Sequence, residues 1–336
     1  MFLSAPAALG QTASTGALTG TVKDSSGAVV PGATVTVTSI GTSQARTSVT
    51  SSSGTYRFGF LPPGTYKLKF EAAGFSTSEV PSVSINVTET PVFDQTLTVG
   101  SQTQEVEVRA EAEAVQSATA TVGTVVDSRA ITALPLTARN YTALLGLSAG
   151  ANGAVTNAAT LGRGSQDIAV NGGTPGQNNF SMDGVSIINI SGRGVVADAN
   201  ANPGIGIVNP DAIQEFKIQT SQFDAGYGRN PGANVNVVTK SGTNQYHGTA
   251  FEFFRNTALN ANDFFRKQSP PVGGVPNNSK QVLNQHQWGG TFGGPIKKDK
   301  LFFFGSYQQT RQKNGISPYG YSTPTLPGIP KGDRST

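Results

Sequence analysis

The side chains able to do chemistry in this 336-residue chain are few. There are two histidines, no cysteine, and only 13% charged residues. A zinc hydrolase needs histidine and glutamate at ligand spacing. His247 is followed by Gly-Thr-Ala and His286 by Gln-Trp-Gly, so neither brings an acidic partner within that spacing. The absence of cysteine removes disulfides, thiolate nucleophiles, iron–sulfur clusters and Cys-ligated zinc together. No Gly-x-Ser-x-Gly elbow or Walker loop occurs, and Gly-rich runs such as Gly172-Gly173-Thr174-Pro175-Gly176 read as turns. Catalysis and a bound cofactor are therefore not expected, and the two histidines read as polar side chains on strands.

Charge is uneven. Five Lys or Arg stand against five Asp or Glu over residues 1–100, seven against eleven over 101–239, and twelve against four over 240–336. The basic residues of the last segment spread over turns and a polar loop instead of clustering with stacking aromatics, so nucleic acid is not an expected partner. With 41 Gly and 19 Pro, the composition favours short strands and many turns. No apolar run reaches the 18 or so residues of a membrane-spanning helix, though strands of a barrel leave a far weaker signature.

The elements that carry these residues show a two-residue rhythm. From Gly16 to Gly100, Val35 and Val37 alternate with threonines, Tyr56, Phe58 and Phe60 with Arg57 and Gly59, and Tyr66, Leu68 and Phe70 with Lys67 and Lys69. Val83, Ile85 and Val87, then Phe93, Leu97 and Val99, add two more runs. Turn signals at Asp24–Gly27, Pro31-Gly32, Ser53-Gly54, Pro62–Gly64 and Ala73-Gly74 separate them, which predicts a sandwich of about seven strands. Residues 1–15 read as the end of a signal peptide or a flexible terminus.

Further on, Ser128–Ile131 and Ala138–Leu147 are helix candidates separated by Pro135, the second with Tyr141, Leu144 and Leu145 on one face. Strands Ile168–Val170, Asn179–Met182 and Glu215–Gln219 are expected to form one sheet beneath them, with Asp183-Gly184 as a tight turn. Asp211 is a candidate cap for a short helical turn. The run from Val235 to Thr239 leads through Lys240-Ser241-Gly242-Thr243-Asn244 into Tyr246–Phe254. That segment, Gln285–Gly294 and Leu301–Thr310 each have the 9–11 residues of a tilted membrane strand. A long polar loop, Arg255–Asn284, and a short turn, Pro295–Asp299, connect them. Phe302, Phe303, Phe304 and Tyr307 suit a lipid face or aromatic girdle.

The ordered run from Pro210 to Gly248 resembles the plug-to-barrel junction of TonB-dependent outer-membrane receptors, in particular the Oar-like branch. Gly162-Arg163-Gly164, Val170-Asn171-Gly172, Phe180–Val185 and Trp288–Ile296 followed by Lys300–Tyr307 match in the same order, and Ala233 departs from a glycine common in the family. The pattern within 16–100 resembles a carboxypeptidase regulatory-like, transthyretin-like domain. The resemblance implies a mainly β chain: an N-terminal seven-stranded β-sandwich (16–100), a linker (101–122), an α/β plug domain (123–239), and the first few antiparallel strands of an incomplete outer-membrane β-barrel (240–336).

It implies energised uptake of a nutrient, carbohydrate or oligomeric, from outside the cell, with outer-membrane lipid and the periplasmic domain of TonB as partners and no cofactor. The plug and N-terminal domain would face the periplasm. Val106, Glu107 and Val108, in the alternating run Gln104–Ala110, are the candidate TonB contact by strand addition. Arg163, Asp183, Glu215 and Arg229 are candidate plug–barrel contacts. Three strands cannot close a barrel, so most of the wall is expected beyond Thr336, and a polypeptide of this length is expected neither to insert nor to transport. The alternative reading is a non-catalytic cell-envelope binding or adhesion protein whose sandwich binds carbohydrate or a protein partner.

Overall fold

The computed structural model describes residues 14–100, 122–134, 136, 139–153, 168–174, 177–188, 208–221, 230–262, 280 and 282–314. Seven strands come first: β1 (Gly16–Asp24), β2 (Thr34–Ser39), β3 (Ala45–Val49), β4 (Thr55–Leu61), β5 (Gly64–Glu71), β6 (Ser78–Ile85) and β7 (Gln95–Leu97). They form two sheets, ordered β4-β1-β7 and β3-β2-β5-β6. The alternation seen in the sequence puts Val35, Val37, Tyr56, Phe58, Leu68 and Phe70 in one buried cluster between them. Fully burying each such side chain contributes about 1.5–3 kcal/mol. The sandwich aromatics are therefore spent on the core: Tyr56 packs edge-on to Phe58 and Phe70, and its hydroxyl donates to the Phe93 carbonyl at 2.7 Å.

The middle of the chain builds a five-stranded sheet, β12-β11-β14-β13-β8. Its strands are β8 (Val122–Asp127), β11 (Asn179–Met182), β12 (Val185–Ser186), β13 (Ile213–Ser221) and β14 (Asn234–Thr239). The expected turn at Asp183-Gly184 is present, with φ of 48° and 85°. Helix α1 (Ser128–Ala133) is capped by Asp127, whose carboxylate accepts from the Ala130 amide at 2.7 Å. The second helical segment is a 3-10 helix, Tyr141–Leu147, capped by Asn140. Ile131, Tyr141, Leu144 and Leu145 pack on Phe216 and Ile218 of β13, which forms the second core.

Two expectations need correction here. Strand β10 (Ile168–Val170) does not join this sheet; it pairs with β9 (Ala151–Gly153) in a separate antiparallel ribbon. The place beside β13 is taken by β8, in register from Gln219↔Gly123 to Glu215↔Asp127. Likewise Asp211 does not cap the 3-10 turn Pro210–Ala212. Asn209 does, its side-chain oxygen accepting from the Asp211 amide at 3.1 Å, which frees the Asp211 carboxylate for another partner.

The last described strands, β15 (His247–Arg255), β16 (Leu283–Lys297) and β17 (Leu301–Asn314), form an antiparallel meander. β16 and β17 extend further than the sequence reading gave, to 15 and 14 residues. Pro295 is accommodated in the central strand because the ladder shifts register between Pro295 and Lys297. The three described wall strands do not close on one another and form an open sheet.

Candidate functional site

The wall sheet has two chemically distinct faces, and strand alternation assigns every residue to one of them. One face carries Tyr246, Trp288, Phe292, Phe303 and Tyr307. Trp288 lies 5.5 Å from Tyr307 and Phe292 5.5 Å from Phe303, ring centre to ring centre, and Trp288, Phe292 and Tyr307 are exposed. The other face carries Thr249, Phe251 and Phe253, Gln285, Gln287 and Thr291, and Ser306, Gln308 and Thr310. Phe302 and Phe304 belong to this second face, Phe304 stacked on His247, so only Phe303 and Tyr307 of the aromatic run look outward. Exposed aromatics on one face, and amides and hydroxyls interspersed with phenylalanines on the other, fit the outer and inner sides of a barrel wall. His286 stands on the outer face and pairs with Glu252 at 3.1 Å.

The plug meets the inner face through a residue that the sequence reading passed over. Arg139 lies in a left-handed backbone conformation (φ 50°) just before the capping Asn140. Its guanidinium donates to the Asp211 carboxylate and, at 3.0 Å, to the Asn209 amide oxygen. It also reaches the wall: Nε donates to Gln308 Oε1 at 3.2 Å, and the guanidinium carbon sits 4.1 Å from the Phe251 ring centre and 4.5 Å from that of Phe253. Phe251, Gly289 and Gln308 are cross-strand neighbours, and a Cβ at Gly289 would lie 3.0 Å from the Phe251 ring and 2.1 Å from the Tyr307 carbonyl oxygen. Glycine is thus required for the ring to lie where Arg139 covers it. Asn209 adds a second tie, its amide donating to Ser306 Oγ at 3.2 Å.

Arg139 and Asp211 are both about nine-tenths buried. Burial lowers the Arg139 pKa and the Asp211 carboxylate opposes that shift. Lys240, also held down by burial, is the second cation acting on Asp211. A cleft of about 310 Å³ borders the clamp, lined by Ile131, Leu136, Arg139 and Pro210 on the plug side and Phe253, Arg255 and Gln287 on the wall side. The turn from plug to wall is equally close-fitting. A Cβ at Gly242 would stand 2.3 Å from the Phe303 carbonyl and 2.8 Å from that of Gly294.

The sequence candidates fall in different places. Asp183 holds the plug's own end together, its carboxylate accepting from the Thr239 amide at 2.9 Å and the Thr239 hydroxyl at 2.8 Å. Glu215 faces the N-terminal sandwich, where its carboxylate accepts from the Val87 amide. Burial pushes its carboxyl up to about 7, against the lowering effect of that hydrogen bond. Arg163 and Arg229, and the segment with Val106, Glu107 and Val108, lie outside the described residues. The one signal that pointed to Arg139 was a lone arginine flanking an apolar helical run, set against Asp211 only by the folded chain.

Known proteins resemble the chain in the same regions. Residues 17–98 match the model of the carboxypeptidase regulatory-like domain, and residues 238–336 that of an outer membrane beta barrel domain. The TonB-dependent transporter Oar of Myxococcus xanthus is 30% identical over 84% of this chain, which spans about a quarter, 26%, of that relative's length. Among solved structures, the siderophore receptor PirA from Acinetobacter baumannii aligns at 20% identity, covering 56% of this chain and 24% of that one with a TM-score of 0.39. The outer membrane transporter YddB from Escherichia coli aligns at 15% identity, covering 57% and 26% with a TM-score of 0.43. The two family-model matches and the Oar relative, on a chain with an aromatic-faced wall and a plug clamped to its other side, make this chain a homologue of the TonB-dependent outer-membrane transporters that carries an N-terminal carboxypeptidase regulatory-like domain.

Proposed function

We propose that the full-length protein takes up an extracellular nutrient across the outer membrane when TonB pulls on the segment containing Val106, Glu107 and Val108. The observation that carries this reading is the Arg139 clamp. Among the described residues it joins the plug to the wall through charge-assisted and aromatic contacts of Arg139 with Asp211, Gln308 and Phe251, which hold the plug at rest and must break when it moves. Arg163 and Arg229 are proposed to add wall contacts beyond the clamp. An oligomeric or carbohydrate nutrient is the cargo class carried over from the family resemblance; the inner-face side chains Gln285, Gln287 and Thr291 are buried and do not themselves present a ligand surface. The adhesion reading gains no support from the sandwich, whose Tyr56, Phe58, Phe70 and Phe93 are buried and cannot stack on sugar rings.

Strand addition depends on main-chain donors. Val106→Pro with Val108→Pro should therefore abolish capture of the intact, detergent-solubilised receptor by the purified periplasmic domain of TonB, and Val106→Thr should leave it nearly intact. Undiminished capture of the double proline variant would refute the assignment of this segment.

A further inference from the structure

We propose that the N-terminal sandwich is a clasp docked on the plug, held by a buried ionic latch and by a second contact at the plug-to-wall turn. The latch is the connection between β6 and β7. Lys217 on β13 pairs with Glu89 at 3.0 Å and donates to the Val87 carbonyl at 3.2 Å, while Glu215 accepts from the Val87 amide. The Lys217 side chain is 3% exposed and that of Glu89 16%. Undocking would return both charges to water, so the pair fixes where the sandwich sits, and replacing one partner alone in the closed seam would strand the other without a counter-charge. The strap is stiff on its own side: Asn86 donates to the second Glu89 oxygen at 2.9 Å, and the Glu89 carbonyl accepts from the Ala17 amide at 2.8 Å.

The second contact centres on Asn244. Its amide donates to the Gly41 carbonyl at 2.8 Å, and its side chain donates to Ser43 Oγ at 3.1 Å and to Asp299 Oδ1 at 2.7 Å. Its side-chain oxygen accepts from the Asp299 amide at 2.8 Å. One asparagine thereby ties the sandwich, the plug-to-wall turn and the β16–β17 turn together. The two contacts are independent of which nutrient is carried. Because one contact is to the plug and the other to the wall side, a plug that shifts in the wall must break one of the two.

A chain without native cysteine allows the docking to be read directly. A Cβ at Gly41 would lie 3.8 Å from that of Thr243, the usual separation in a disulfide. Gly41→Cys with Thr243→Cys in the intact receptor, oxidised in outer-membrane preparations with copper phenanthroline, should cross-link as fully as Thr249→Cys with Thr291→Cys, whose native hydroxyls are 2.9 Å apart within the wall. Adding Glu89→Lys, which sets two like charges together, should lower the sandwich cross-link about tenfold. Combining Glu89→Gln with Lys217→Met should restore it, because neutralising both partners leaves no charge stranded. A wall control that forms while the Gly41–Thr243 pair stays reduced would overturn docking. An unchanged yield with Glu89→Lys would overturn the latch.

Discussion

Replacing Arg139 by methionine removes the charge and keeps most of the length of the side chain. Among the described residues Asp211 then keeps Lys240 as its nearby cation, and Asn209 and Gln308 lose a donor. Stranding a buried carboxylate costs about 3–5 kcal/mol, and losing a desolvated cation over an aromatic face about 2 more. The terms overlap, and Lys240 offsets part of the first, so a net loss of about 3 kcal/mol is expected. The double variant Arg139→Met with Asp211→Asn should recover about 2 kcal/mol of that, since no charge is then left unpaired. Urea titration of the detergent-purified receptor, followed by protease access to the plug, reads both numbers. A loss below about 1 kcal/mol for the single variant, or a double variant as unstable as the sum of its parts, would refute the clamp.

Stability should also depend on pH through Glu215. Its carboxyl stands at about 7 in the fold against an ordinary value of 4.5, so the protonated form is favoured by folding. That contribution is complete below 4.5 and lost as pH rises through 7, up to about 3 kcal/mol. Glu89 and Lys217 are the charges that act on it. The drop in urea midpoint between these pH values should vanish in Glu215→Gln. Gly242→Ala should displace the turn from β16 and β17 and reduce the heat-resistant folded band on semi-native gels, whereas Gly27→Ala, in open space but at a φ of 87°, should cost only about 1 kcal/mol. On the wall, Phe292→Arg places a charge in lipid and should destabilise the barrel by about 2–4 kcal/mol in a lipid-refolding titration.

Much of this architecture was legible because strands advertise themselves by alternation. Tyr56 and Phe58 or Leu68 and Phe70 sit two residues apart, and each pair landed on one buried face. The wall strands, their order and the Asp183-Gly184 turn were readable for the same reason. Pairing between distant segments was not. β8 has only Val122, Val125 and Val126 to mark it and is fixed by its neighbour β13, while β9, with the sequence Ala-Asn-Gly, has no strand signal at all. The polar face of β13 misled in a different way. Glu215 and Lys217 alternate with Phe216 and Ile218 as solvent-facing residues would, yet the sandwich covers them. Arg139 and Asp211 stand 72 positions apart, and no local pattern links an arginine ahead of one helical turn to an aspartate inside another.

The central claim is a plug seated against the inner face of an outer-membrane wall. Asn209 and Ser306 approach to 3.2 Å across that seam, in a chain free of cysteine. With Asn209→Cys and Ser306→Cys in the full-length protein, a disulfide is expected to form in the outer-membrane fraction of the source cells. Recovery of the protein in the soluble fraction, or a pair that stays reduced in the outer membrane while a wall control oxidises, would contradict it.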